Sequence, residues 1–118
     1  MSISGRQKLL ESVIRMLWEM YGVEVQSTDV YLFEDEAHLC TAKTAELFHT
    51  SYHNFSNVYV SNLLFAGVHR IIVGRNRYYN INESLAILVA SRQRGVPVSE
   101  ICDELYEINN KKQKKRRK

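Results

Sequence analysis

The chain has 118 residues, of which 45% are hydrophobic and 25% are charged, proportions that are typical of one globular domain. No apolar run reaches the roughly 18 residues of a membrane-spanning helix, and no signal-peptide pattern opens the chain, which predicts a cytoplasmic protein without a membrane partner. The two cysteines, Cys40 and Cys102, lie far apart and predict reduced thiols rather than a disulfide framework.

The net charge of +3 is distributed unevenly. Residues 111–118 hold seven of the sixteen basic residues and no acid, so the rest of the chain is net negative. Between residues 37 and 82 the only acid is Glu46, whereas this stretch holds four basic residues and all four histidines. The middle and the end of the chain are therefore the parts that favour an anionic partner.

The first predicted element is a helix of about four turns. Ser4 with Gln7 three residues later matches a capping box, apolar residues recur at helical spacing, and Gly22 ends the helix. Residues 23–33 are rich in β-branched residues and predict a strand or an extended connection. The acidic residues 34–36 predict a solvated corner or the first turn of a helix.

The middle of the chain predicts two helices and a hairpin. Thr41 caps the first helix, turn formers at 50–56 separate it from the second, and the second spans residues 56–65 before a stop at Gly67. An arginine-rich hairpin pattern follows at residues 70–81. A helix, a glycine stop and a ribbon with arginines at its tip are typical of a winged helix-turn-helix, which places one helix in the major groove of DNA and the ribbon on the backbone.

Two further helices and a tail are predicted after the hairpin. Asn80 or Asn82 caps a helix that ends at Gly95, and Ser99 caps a last helix. The tail from Asn110 has no apolar residue and is expected to be disordered. No internal repeat and no second domain are evident.

The predicted fold class is mainly α with a small β-hairpin wing, a winged helix-turn-helix with an extra N-terminal helix. Residues 1–37 form that helix and an extended connection packed on the head, residues 38–109 form the winged helix-turn-helix domain, and residues 110–118 form a disordered basic tail.

Residues 78–106 resemble the segment after the wing of MerR-type regulators, in which a second helix opens with a polar residue and Glu-Ile, here Ser99-Glu100-Ile101. Residues 41–67 and 70–78 are also similar to the winged-helix heads of MerR proteins and of phage or transposon excisionases. The resemblance covers residues 38–108 and implies a sequence-specific protein for double-stranded DNA. A transcriptional repressor or an accessory factor of excision or conjugative transfer, from a phage, plasmid or other mobile element, fits this implication.

Three departures from the MerR pattern limit what the resemblance implies. The turn at residues 49–57 is longer than the family's, and Ser61 stands where the recognition helix usually carries arginine. The family's long dimerising helix and effector-binding part have no counterpart, so sensing of a metal or drug is not implied.

The side chains expected to face DNA from the second helix are the polar ones left when its apolar residues pack inward. They are Asn57, Tyr59, Ser61 and Asn62. Asparagine pairs with adenine, and serine or tyrosine bonds phosphate or base edges. An ordinary solvated helix face is the alternative.

Basic residues on the hairpin and in other parts of the chain are expected to bind the phosphate backbone of DNA. The wing candidates are Arg70, Arg75, Asn76 and Arg77, and the others are Lys43, Lys111, Lys112, Lys114, Lys115, Arg116, Arg117 and Lys118. A solvated turn is the alternative for the hairpin tip, and pairing with an acid is the alternative for Arg70. The tail also suits a nuclear localisation signal or an anionic lipid surface.

No catalytic, metal or cofactor site is predicted. Residues 35–38 spell the DEAH box of helicases, but the chain has no phosphate-binding loop. His49 and His53, with His38 and Cys40, span a predicted turn and are expected to be surface residues rather than zinc ligands. No nucleophile and base are grouped in the sequence, so we expect no enzyme.

The expected partners are double-stranded DNA and a second copy of the chain, which binds through the N-terminal helix that carries Trp18. Alternatively, this helix only covers the hydrophobic core. Two rival functions stay open. One is a protein-interaction module that docks through its acidic N-terminal half, and the other is a nucleoprotein that coats DNA through its tail. DNA binding predicts association with the nucleoid.

Overall fold

The computed structural model describes the backbone of residues 3–60 and 67–116 and the side chains of residues 5–57 and 67–108. The main elements are α1 (Ile3–Tyr21), β1 (Val30–Phe33), β2 (Glu36–Cys40), α2 (Thr41–Leu47), α3 (Tyr52–Asn54), β3 (Arg70–Val73), β4 (Asn76–Asn80), α4 (Ile81–Arg94) and α5 (Val98–Arg116). A 3-10 turn at Ser27–Asp29 precedes β1, and α3 continues as a π-helical turn at Phe55–Val60. None of the described helices is long and apolar enough to cross a membrane.

The four strands form one antiparallel sheet in the order β1-β2-β4-β3, so the predicted winged helix-turn-helix with a small hairpin wing is wrong. The fold is a mixed α/β one, in which a second hairpin precedes the predicted one. Glu34 and Asp35 both have positive φ, 50° and 62°, at the turn of this first hairpin. Such turns usually contain asparagine or glycine, which is why the acidic pair predicts a corner or a helix start instead of a hairpin.

The backbone contains an internal repeat that the sequence does not predict. The unit β1-β2-α2 recurs as β3-β4-α4 with an offset of 40 residues, because the strands begin at Val30 and Arg70 and the helices at Thr41 and Ile81. No position in residues 30–48 carries the same amino acid as its counterpart 40 residues later, so the repeat leaves no identity to recognise.

The two units pair about a pseudo-two-fold axis. Leu39 of β2 lies opposite Tyr79 of β4, its own counterpart, and His38 and Cys40 pair with Asn80 and Tyr78 on either side. The hairpin turns consequently lie at opposite ends of the sheet, because β2 and β4 run antiparallel and each begins directly after its turn. One turn is acidic, and the other carries the arginines.

The packing of the helices repeats as well. Thr44 of α2 and Ser84 of α4 are both buried and occupy equivalent positions. The hydroxyl of Thr44 donates to the carbonyl of Cys40 at 2.9 Å, and that of Ser84 donates to the carbonyl of Asn80 at 2.8 Å. Both units therefore hold the first turn of their helix against the preceding strand in the same way.

The core lies between one face of the sheet and the helices. Strand register places Val30, Ala37, Leu39 and Tyr79 on this face, and all four are buried. The ring of Tyr79 meets that of Phe55 edge to face, with ring centroids 5.6 Å apart. The segment after α3 is thereby fixed against the middle of the sheet.

The helices α4 and α5 form a hairpin with clear local signals. The side chain of Asn80 accepts a hydrogen bond from the Glu83 amide, which confirms the predicted cap, and Gly95 ends α4 with φ of 66°. Arg94 and Glu104 then join the two helices, with Nη2 and Oε1 2.8 Å apart. This pairing raises the pKa of Arg94 and lowers the pKa of Glu104.

The helix α5 continues to Arg116, although the sequence predicts a disordered tail from Asn110. Lysine, arginine and glutamine are good helix formers, and cations favour the C-terminal end of the helix dipole. The structure therefore differs from the prediction over residues 110–116, while the domain boundaries stay a prediction.

Cys102 of α5 provides a test of this packing, because its side chain is fully buried and burial raises its pKa to about 11. In a Cys40→Ser variant at pH 8, we expect the remaining thiol to react with Ellman's reagent at least about 100-fold more slowly than free cysteine, because the thiolate is the reacting form. The same variant unfolded in guanidinium should react at the ordinary rate. Equal rates in the folded and unfolded protein would show that α5 does not pack on the core.

Candidate nucleic-acid interface

The turn between β3 and β4 presents an exposed cationic tip. Gly74 adopts φ of 64°, which lets the chain reverse, and the next three residues are Arg75, Asn76 and Arg77. All three are exposed. Within residues 5–57 and 67–108, no salt bridge joins either arginine to an acid. Both guanidinium groups can therefore engage an anion from solution.

A cleft of about 550 Å³ lies beside this tip. Its walls come from the turn before β1, the β2–α2 junction, α3 with its π-helical turn, and the second hairpin. The lining residues are Thr28, Asp29, Cys40, Thr41, Ala42, Tyr52, Ser56, Arg75, Asn76, Arg77 and Tyr78. The cleft thus brings together the start of the predicted recognition helix and the predicted wing.

Specific contacts fix both walls of the cleft. The hydroxyl of Thr41 donates to the carbonyl of Arg77 at 3.3 Å, which ties the hairpin to the start of α2. The hydroxyl of Ser51 accepts from the Asn54 amide at 3.1 Å and caps α3. With Phe55 held on Tyr79, these contacts position the helix and the hairpin before any ligand binds.

The helical segment begins earlier than predicted. The sequence starts it at Ser56, but α3 starts at Tyr52 and turns π-helical from Phe55. The serine cap at residue 51 satisfies the first helical amides, so the turn formers of this region open a helix rather than separate two. A π-helical turn is often found at a functional position.

The recognition-helix candidates are only partly described. Asn57 is exposed, and its Nδ2 lies 2.9 Å from Nε2 of His53. The backbone of Tyr59 belongs to the π-helical turn, and Ser61 and Asn62 lie outside the described residues.

Of the other predicted cations, Lys43 and Arg70 do not line the cleft. Lys43 bonds the carboxylate of Glu46 at 3.0 Å, and this contact raises its pKa. Arg70 is exposed but begins β3, at the far end of that strand from the tip. The backbone of residues 111–116 belongs to α5, and their side chains lie outside the described residues. Arg117 and Lys118 lie outside them entirely.

Cys40 of β2 and Asp29, just before β1, also line the cleft, although no sequence motif predicts a site there. The thiol of Cys40 donates to Oδ1 of Asp29 at 3.6 Å, and Oδ2 of Asp29 accepts from the Gln26 amide at 3.0 Å. Burial raises the pKa of the Cys40 thiol, so it is a weak nucleophile at neutral pH. The carboxylate of Asp29 repels phosphate where it lines the cleft, which leaves the arginine side for an anion.

Comparison of the chain with protein-family models, with curated proteins and with solved structures gives no match. The resemblance to MerR-type regulators and excisionases therefore stays a prediction.

Proposed function

We propose that this protein binds double-stranded DNA through the cleft between α3 and the second hairpin. The observation that carries the proposal is that Tyr52 and Ser56 line the same cleft as Arg75, Asn76 and Arg77. A helix segment and a cationic hairpin, fixed side by side, contact one ligand together.

The chemistry of the two walls suits different parts of a duplex. The planar guanidinium groups of Arg75 and Arg77 suit phosphate oxygens, which position a protein on DNA. The amides of Asn57 and Asn76 pair with adenine in a groove, and this contact gives sequence preference. Hydroxyl groups of Tyr52 and Ser56 bond phosphate or base edges equally well.

The biological process in which this binding would act is inferred from the resemblance to MerR-type regulators and excisionases. We propose a transcriptional repressor, or an accessory factor in excision or conjugative transfer. Both roles require preference for one DNA site over the excess of other sequences.

Selection from a random duplex pool, followed by fluorescence anisotropy with the selected and scrambled duplexes, tests the proposal. We expect the selected duplex to bind at least about 1000-fold more tightly than the scrambled one at physiological salt. Equal, micromolar affinity for both that disappears near physiological salt would rule out sequence-specific binding.

A truncated protein lacking residues 111–118 separates this proposal from coating of DNA by the basic tail. Loss of the seven cations is expected to weaken binding to all duplexes and to reduce its salt dependence, while the preference for the selected duplex remains. Complete loss of binding in the truncated protein would favour the coating function.

We also propose a homodimer through α1. Trp18 is 59% exposed and borders a pocket with Ile14 and Val25. Large exposed apolar side chains are more common at protein interfaces than on other surfaces. Two copies would read paired DNA half-sites.

The variant Trp18→Glu is expected to sediment as a monomer where the wild-type protein sediments as a dimer, because it places a charge in the interface. The side chain is mostly exposed, so the thermal midpoint of the monomer should change little. If the wild-type protein stays monomeric at high micromolar concentration, α1 does not mediate dimerisation and only covers the hydrophobic core.

A further inference from the structure

The sheet face opposite the core carries an aromatic surface. Strand register places Tyr31 and Phe33 of β1 and Tyr78 of β4 on this face, which we call the aromatic face. The alternate positions of the same strands, Val30 and Tyr79 among them, point to the core. The aromatic face is thus the side of the sheet opposite this core, and it is covered in part, because His38 and Asn80 on the same face are buried.

The rings of the aromatic face are partly exposed and held in place. Tyr31 is 39% exposed and lies 5.7 Å from Tyr78, ring centroid to ring centroid, at 41°. Phe33 is 45% exposed and meets the buried ring of His38 edge to face at 6.3 Å. His38 is fixed in turn, because its Nδ1 lies 3.0 Å from the carbonyl oxygen of Glu36. The rings therefore lose little conformational freedom when a flat ligand covers them.

The aromatic face is continuous with the arginine cleft. Tyr78 lies on the aromatic face and also lines the cleft with Arg75 and Arg77. The acids Glu34 and Asp35 lie at the other end of the sheet, at the turn that begins β2. A polyanion is therefore attracted to the arginine end of the face and repelled from the acidic end.

The area of the aromatic face favours a small flat group over a folded partner. Each large aromatic side chain buries about 150–250 Å² when fully covered, and these three are already half covered. A stable protein interface takes about 800 Å² from each partner, well above what the face offers. Bases are flat, and each one covers a single ring.

We propose that unpaired bases of a single-stranded nucleic acid stack on Tyr31 and Tyr78, while Arg75 and Arg77 hold the adjoining phosphates. This inference rests on the proposed function for the arginine cleft and extends it to ligands in which a duplex continues as a single strand. Such a ligand places its duplex at the cleft and its unpaired bases on the aromatic face.

Fluorescence anisotropy with four ligands tests the inference: a blunt duplex, the same duplex with an oligo-dT overhang, and free oligo-dT and oligo-U strands of about 15 nucleotides, near the span of one single-strand-binding module. We expect the overhang to increase affinity by roughly tenfold or more over the blunt duplex. Comparison of the dT and U strands shows whether DNA or RNA is the preferred single strand.

The variant Tyr31→Ala should lose that tenfold gain and bind the blunt duplex as the wild-type protein does. Tyr31→Phe keeps the ring and should retain the gain, since stacking needs the ring and not the hydroxyl. Tyr106→Ala is the matched control, because Tyr106 of α5 is also 39% exposed but lies on no strand. If Tyr31→Ala does not fold, Tyr31→Leu, which keeps the bulk of the side chain but not the flat ring, carries the same expectation.

The possible results separate the inference from the proposed function. An overhang without effect, or an effect that survives in Tyr31→Ala or Tyr31→Leu, would overturn the inference and leave duplex binding intact. Strand binding that depends on Tyr31 without any duplex binding would overturn duplex binding alone. A change in sedimentation of Tyr31→Ala with unchanged strand binding would assign the face to a protein contact and overturn the inference.

Discussion

Replacing Arg75 and Arg77 together with alanine is expected to weaken binding to double-stranded DNA by about 100-fold, because each removes a charge-assisted hydrogen bond to phosphate. Both side chains are exposed and take part in no salt bridge in the described part of the chain, so the fold does not depend on them. The measurement is the dissociation constant by fluorescence anisotropy at fixed salt. Circular dichroism should show an unchanged melting temperature.

The salt dependence of the same variant is a sharper test. Loss of two phosphate contacts should reduce the slope of log affinity against log salt by about 2. The matched control is Lys8→Ala with Arg92→Ala, which removes the same charge from α1 and α4 at residues that line neither the cleft nor the pocket beside Trp18. Equal losses in the two double variants would mean that only net charge matters and that the cleft is not the DNA site.

Replacing Tyr79 with alanine is expected to reduce the free energy of unfolding by about 3–5 kcal/mol, the range for a large aromatic side chain removed from a core. Tyr79 is 2% exposed, pairs with Leu39 at the pseudo-two-fold axis, and packs on Phe55. It therefore joins the two repeat units and the cleft-forming segment in one contact. Urea unfolding at neutral pH measures the loss.

The control for this prediction is Tyr106→Ala, which removes the same side chain from a position that is 39% exposed and should reduce stability by only about 1 kcal/mol. Since domains of this size have only about 5–15 kcal/mol of stability, the Tyr79→Ala protein should be close to unfolding and should lose DNA binding as a result. Similar stability of the two variants would contradict the central position of Tyr79.

Several features encoded within a few neighbouring residues are predicted correctly from the sequence, although the predicted caps Thr41 and Ser99 are wrong: Cys40 is the N-cap residue of α2, and α5 already begins at Val98. The helix α1 ends before Gly22, the hairpin of β3 and β4 turns at Gly74, and Asn80 caps α4. Each depends on a local rule: glycine reaches positive φ, and an asparagine side chain accepts from the amide three residues later.

Features that depend on distant pairing are missed. Strand β2 is too mixed in composition to predict a strand, and it is stabilised by pairing between strands, with Leu39 opposite Tyr79. The same pairing relates the two repeat units and brings Cys40 beside Tyr78, where both line the cleft with Asp29. No pattern in the neighbouring sequence indicates that Asp29 or Cys40 lies at the cleft.

By itself, the sequence of this protein determined the positive middle segment, the arginine hairpin and the helix ends at Gly22, Asn80 and Gly95, because charge, capping and turn chemistry act within a few residues. The tertiary structure alone decided that Tyr31 and Tyr78 share one sheet face and that Arg77 shares a cleft with Tyr52. Strand register is set by burial of one face against the helices, and a shift by one residue would turn every side chain to the other face. That burial is a property of the whole chain, which no local pattern contains.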